Sequence, residues 1–186
     1  MYKDIDEQTL ARYCSQRDRM AEEELYKRYA ARVNTLCRRY VKDTDEADDL
    51  MIETLVQAID KIGTYKYLEE GSLYKWISRI AINKAINRIK RQYWRVIPLN
   101  EKVHDNIPDP TEDEMVVIPR EKLSGWIADL PDLKRTVFNL YCIEGYPHKE
   151  IGRMLGISER GSTSVLAKAR KELKDKIREY LKEQDQ

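Results

Sequence analysis

Six side chains near the C-terminus have the types and the order that a DNA duplex requires. Arg160, Ser162, Thr163, Ser164, Lys168 and Lys171 lie within the stretch SERGSTSVLAKARK, one arginine and three hydroxyls at its N-terminal end and two lysines further along. Hydroxyls at the start of a groove-entering helix suit base edges and nearby phosphates, and the later cations suit the backbone. Two other stretches carry concentrated charge. Residues 43–60 contain seven acids and neither Lys nor Arg, and within them Glu46, Asp49, Glu53 and Gln57 recur at spacings of three, four and four, one exposed stripe of a helix. Residues 72–95 reverse the sign, with seven Lys or Arg and no acid. Opposed charges on successive helices suggest two partners for two surfaces, one of them DNA, even though the formal net charge is only +1.

These residues need helices to position them. Pro147 suits the first position of a short helix because its missing N–H costs nothing there, and Glu150 in the first turn suits the helix dipole. Ile151, Met154 and Leu155 form the apolar face, and Gly156 can leave the helix through positive φ. Ser158 is a good N-cap for a second, long helix, whose apolar stripe is Val165, Leu166, Ala169, Leu173 and Ile177. The pair is a helix-turn-helix, and the plain alternative is a helical hairpin with a solvated polar face.

Upstream, a short helix is expected near Leu10 and a long amphipathic one from Met20 to Val41, with Ala21, Leu25, Tyr29, Val33, Leu36 and Tyr40 inward. The acidic helix begins at a cap on Thr44 or Asp45, and its buried face is predicted as Ile52, Leu55, Val56 and Ile59. After a loop from Gly63 to Gly71, the basic helix directs Trp76, Ile77, Ile80 and Ala81 inward and Arg79, Asn83, Asn87, Lys90 and Arg91 outward. Four of the six prolines then fall between Val96 and Arg120 beside six acids, the composition of an extended linker. Helices resume near Arg120, break at Pro131 and lead into the helix-turn-helix. The predicted fold is all-α, as two small helical domains: 1–95, a polar linker over 96–119, and 120–186.

Composition narrows the chemistry. Charged residues make up 36%, well above the roughly 25% of ordinary soluble domains. Cys14, Cys37 and Cys142 are too scattered for a disulfide framework or a Cys-x-x-Cys metal site, which points to a reducing cytoplasm, and no cofactor is implied. No apolar run approaches a membrane span, and the opening MYKDIDEQ lacks a signal-peptide core, so membrane insertion is not expected. Clustered carboxylates at Asp45, Glu46, Asp48, Asp49 and Glu53 could hold Mg²⁺ in a nucleotide hydrolase. The chain has neither a second such helix nor a Gly-rich phosphate loop, so a non-enzymatic reading is preferred. A helix-turn-helix regulator that acts on duplex DNA alone is the nearer rival.

Three segments in order resemble the extracytoplasmic-function (ECF) group of bacterial RNA polymerase sigma factors, the minimal ones with conserved regions 2 and 4. EADDLMIETL is similar to the group's D-A-E-D-L-x-Q-E-x-F. LYKWISRIAINKAINRIKR is similar to its F-x-x-W-L-x-R-I-A-x-N-x-x-x-D-x-x-R, and LPDLKRTVFNLYCIEGYPHKEIGRMLGISERGSTSVLAKARKEL is similar to its region 4 pattern. Ile52, Leu55, Leu73 and Asn87 depart from the usual Gln, Phe, Phe and Asp. Arg160 and Gly161 stand where Gly-Thr is common, and Thr163 and Val165 occupy positions often basic or polar.

The resemblance implies a factor that binds core RNA polymerase and promoter DNA, often with an anti-sigma partner. It implies that Arg160, Ser162, Thr163, Ser164, Lys168 and Lys171 face the minus-35 element, and that Glu46, Asp49, Glu53 and Gln57 face the polymerase. Tyr65, Tyr67, Asn83, Lys84, Asn87, Arg88, Lys90 and Arg91 would bind and open the minus-10 element, since single strands need cations for phosphates, planar groups for stacking and amides for an extruded base. Trp76, at helical spacing with Ile77 and Ile80, is expected in the core.

Overall fold

The computed structural model describes residues 2–93 and 118–184, which form helices and short connections with no strand among them. The chain separates into two compact units, Met1–Arg88 and Ile89–Gln186. The architecture is all-α, as the periodicity predicts. Nearly all of the expected linker over 96–119 lies outside the described residues.

The first unit is built on α1 (Glu7–Ser15), α2 (Arg19–Tyr40), α3 (Thr44–Lys61) and most of α4 (Ser72–Tyr93). Side-chain carboxylates start three of these helices. Asp6 accepts from the Thr9 N–H at 2.8 Å, Asp18 from Met20 and Ala21 at 2.9 and 3.1 Å, and Asp43 from Glu46 at 2.9 Å, each satisfying amides that have no intrahelical partner. Asp43 thus takes the capping role expected of Thr44 or Asp45; both of those are already inside the helix. Arg28 of α2 donates to the carbonyls of Ile5, Lys3 and Tyr2 at 2.9, 3.2 and 3.3 Å, which ties the segment before α1 onto the bundle.

Two predicted apolar faces are displaced. On α3 the buried residues are Ala47, Leu50, Met51, Thr54, Leu55 and Ala58, whereas Ile52 and Val56 are exposed at 47% and 55% and Ile59 is half-buried. Small residues and one hydroxyl make this inner face: alanines let α3 approach closely, and Thr54 Oγ1 is satisfied by the Leu50 carbonyl at 2.7 Å. A stripe drawn from large apolar residues alone points about a third of a turn away. On α4 the buried line is Leu73, Ile77, Ala81, Ile82, Ala85 and Ile86, and Trp76 and Ile80 sit half-buried at its margin. Trp76 is therefore not a core residue. Its ring instead meets that of Tyr65, with centroids 5.7 Å apart.

The second unit contains α5 (Arg120–Asp129), α6 (Asp132–Phe138), a π turn at Asn139–Ile143, α7 (His148–Leu155) and α8 (Glu159–Gln184). Leu130, Ala169 and Leu173 are buried against Trp126, Ile127 and Phe138. Pro147 is the N-cap of α7, which therefore begins at His148, one residue later than predicted, and Gly156 leaves that helix at φ +73°. Ser158 caps α8, its Oγ accepting from the Gly161 N–H at 2.9 Å.

Arg135 of α6 is 4% exposed. Its guanidinium donates to the Ala128 carbonyl at 2.9 Å, at the end of α5 where carbonyls have no intrahelical partner, and to Asp132 Oδ1 at 2.6 Å. Arg135→Ala is expected to destabilise this unit by about 2–4 kcal/mol, since buried charge-assisted bonds are removed and α5 carbonyls are left unpaired. Hydrogen exchange of the α6 amides measures it; protection unchanged from wild type would show that the guanidinium contributes nothing net.

Candidate nucleic-acid interface

The polar face of α8 is narrower than its sequence suggests. Arg160, Thr163 and Lys171 are exposed and Lys168 is half-buried, so these four remain available to a ligand. Ser162 is fully buried, its Oγ 2.9 Å from His148 Nδ1, and it joins the two helices of the helix-turn-helix. Ser164 is 7% exposed, with its Oγ unpaired. Neither serine is a surface contact in this structure, which corrects their assignment as groove-facing residues. The Ser162 hydroxyl can be buried because His148 partners it, and composition alone does not distinguish that use from base contact. Beside α8, Lys134 of α6 bonds Glu172 at 2.6 Å, and these two line a shallow cleft with Lys168 and Lys171.

His148 sits at the join. Its ring stacks on Tyr141 with centroids 4.3 Å apart, and the Arg170 guanidinium lies 5.8 Å from the centre of the Tyr141 ring. Burial, and then the charge of Arg170, lower the imidazole pKa from its ordinary value, which favours a neutral ring. The π turn leaves Tyr141, Cys142 and Ile143 exposed. Sequence reasoning gave these three no binding role.

The basic and acidic stretches meet in the first unit. Lys84 Nζ donates to Glu53 Oε2 at 3.1 Å, Arg88 Nη2 donates to Glu53 Oε1 at 2.6 Å, and Arg88 Nη1 reaches the Glu46 carbonyl at 3.1 Å. Partial burial works to raise the Glu53 pKa, but the hydrogen bond from Lys84 and the charge of Arg88 outweigh it and leave the carboxyl below its ordinary value. Lys84, Arg88 and Glu53, expected on two separate surfaces, thus form one cluster. Outside it, Glu46 and Asp49 are exposed and Gln57 is half-buried, with Ile52 and Val56 exposed among them. On α4, Asn83, Asn87 and Arg91 are exposed and Lys90 is half-buried.

Before α4, the loop holds Tyr65 half-buried, its hydroxyl 2.6 Å from Ser72 Oγ. Tyr67 and Leu68 project from the same loop, Leu68 with 84% of its surface exposed. Cys14 and Cys37, pushed up to about 11 and about 12 by burial, are protonated fillers of the first unit. Among the described residues no three of His, Cys, Asp and Glu converge as a metal site requires, and no helix is long and apolar enough to cross a membrane.

The Sigma-70 region 2 family matches residues 25–95, and the Sigma-70, region 4 family matches residues 120–173. The chain is 26% identical over 156 residues to the ECF RNA polymerase sigma factor SigM of Bacillus subtilis, covering 83% of this chain and 94% of that protein. It is 27% identical over 190 residues to the ECF RNA polymerase sigma-E factor of Haemophilus influenzae, covering 95% and 98%. Among solved structures, the sigma factor RpoE of Bartonella quintana, in complex with the anti-sigma factor NepR, has the same fold. Its TM-score is 0.51 at 15% identity, covering 84% of this chain and 96% of that one.

Proposed function

We propose that this chain, which belongs to the ECF group of RNA polymerase sigma factors, divides its work among three surfaces. Members of this group bind core RNA polymerase and direct promoter-specific initiation, and that is the function of this protein; the relatives give no support to a regulator that works without polymerase. The exposed part of α3, with Glu46, Asp49 and Gln57 around Ile52 and Val56, docks on basic surface of the polymerase. The loop before α4, with Asn83, Asn87, Lys90 and Arg91 on the helix itself, captures and opens the minus-10 element. Arg160, Thr163, Lys168 and Lys171 of α8 engage the minus-35 duplex.

The observation that carries this reading is the contrast between α3 and α4. An acidic helix face that also exposes two β-branched apolar side chains fits a protein partner, because charge orients the encounter and apolar contact retains it. A neighbouring face of cations and amides fits nucleic acid. The anti-sigma partner in the Bartonella complex makes an anti-sigma partner a proposal for this chain as well, and a sigma factor acting on RNA polymerase works in the cytoplasm. Transcription in vitro with core enzyme on a library of genomic fragments tests the whole reading: start sites should depend on both proteins together.

Lys168→Ala is expected to weaken binding of a minus-35 duplex by roughly 1–3 kcal/mol if the ammonium meets a base edge. If it meets phosphate, the loss is uniform across sequences and the salt dependence becomes shallower. Fluorescence anisotropy at two salt concentrations separates the cases, and unchanged binding at moderate salt removes Lys168 from the interface.

A further inference from the structure

Glu7, the first residue of α1, is 5% exposed, and both of its carboxylate oxygens are engaged. Oε1 accepts from the Tyr29 hydroxyl at 2.8 Å. Oε2 accepts from the backbone N–H of Gly71 at 2.9 Å and of Leu73 at 3.2 Å. Those two amides flank the start of α4, so a side chain from far upstream supplies the anion that the N-terminus of the basic helix attracts. Gly71 turns the chain there at φ +85°, and its amide is the last of the preceding loop.

The bonds continue into that loop. Ser72, held between the two captured amides, has its Oγ 2.6 Å from the Tyr65 hydroxyl and accepts from the Leu68 N–H at 3.4 Å. Tyr65 in turn lies against Trp76. One buried carboxylate thereby fixes both the start of α4 and the closure of the loop, while Tyr67 and Leu68 stay exposed at its tip. A charge is expensive to bury, and here its hydrogen bonds specify a loop geometry that an apolar filler would not.

We propose that Glu7 is a positioning residue for promoter opening: it touches no DNA, but holds the Tyr65–Gly71 loop and the first turn of α4 in the geometry that receives an unstacked base. Residue 7 lies outside the segment matched by the region 2 family, residues 25–95. Preorganisation is the physical content, since a loop already ordered does not lose that freedom when it captures a single strand. Tyr29 supports the arrangement from the other side: burial, and then its bond to Glu7, raise its phenol pKa and keep it a donor. The inference rests on the reading of this loop and α4 as the opening element.

The test uses the full chain assembled with core polymerase. Glu7→Gln keeps the size and one acceptor but removes the charge and the second acceptor. Polymerase pull-down and retention of closed duplex promoter should stay within about twofold of wild type, while permanganate reactivity of the opened strand should fall roughly tenfold or more. A template with a preformed bubble should restore transcription to within about twofold, a rescue that general loss of folding would not permit. Wild-type opening by Glu7→Gln, or a defect that the preformed bubble leaves unrepaired, overturns the proposal. Should Glu7→Gln fail to fold, Ser72→Ala decides, because it leaves Glu7 in place and cuts the link to Tyr65 and Leu68; normal opening by that variant also overturns it. If alanine at Asn83, Lys90 and Arg91 left opening intact, the opening element itself would be misassigned. If that variant failed and Glu7→Gln opened normally, only the role of Glu7 would fall.

Discussion

Replacing Asn83, Lys90 and Arg91 together with alanine is expected to abolish promoter opening while leaving polymerase binding near its wild-type level. These residues lie on α4 outside the cluster that Glu53 makes with Lys84 and Arg88, and among the described residues they have no ion-pair partner. Asn83 and Arg91 are exposed and Lys90 is half-buried, so all three offer polar groups to a displaced strand. Each phosphate of single-stranded DNA that is no longer neutralised should flatten the dependence of log affinity on log salt by about 0.7, so removing two cations should change the slope by roughly 1.4. Loss of an amide that reads an extruded base adds roughly 1–3 kcal/mol of discrimination. Permanganate footprinting over a salt series, with pull-down of core enzyme in parallel, measures both. Normal footprints with an unchanged slope would remove this face from the opening machinery.

A comparable loss, at a different step, is expected from α3. Ile52→Asp combined with Val56→Asp should weaken polymerase association by about 2–4 kcal/mol, as removal of a central apolar anchor does at other interfaces, and should leave the isolated fold intact because both side chains are already in solvent. Glu53→Lys should be worse in kind. It removes an acid from the polymerase side and sets a third cation against Lys84 and Arg88, which are bonded to Glu53 at 3.1 and 2.6 Å, so both polymerase binding and opening should suffer. Asp49→Lys, on an exposed residue outside that cluster, should weaken only the encounter with polymerase. Pull-down and footprinting of the three variants distinguish these outcomes. Two wholly separate faces would require Glu53→Lys to behave like Asp49→Lys, and that result would show that the ion pairs carry no coupling.

The element order of this protein was determined by sequence alone. Apolar residues at three-and-four spacing mark α2 and α8, Gly156 ends α7, Ser158 starts α8, and Pro131 separates α5 from α6. Each of these signals is local, acting through φ, a missing N–H or a capping oxygen within a few residues. The three charge blocks and their family resemblance were legible for the same reason. What tertiary structure decided is which member of a polar or apolar set faces which neighbour.

Ser162 and Thr163 are adjacent hydroxyl residues, yet His148 claims the first and the second stays in solvent. Glu53 and Asp49 share a stripe, yet Lys84 and Arg88 of a later helix engage only the first of them. Ile52 and Val56 have the side chains of core residues but are displaced from it by Ala47, Thr54 and Ala58, whose small size lets helices approach. Glu7 gave no signal at all, because the amides it caps are more than sixty residues away, with |i−j| of 64 and 66. Periodicity records the hydrophobicity of one helix at a time. A buried carboxylate is stable only where another part of the chain supplies its donors, and that depends on closure of the whole bundle.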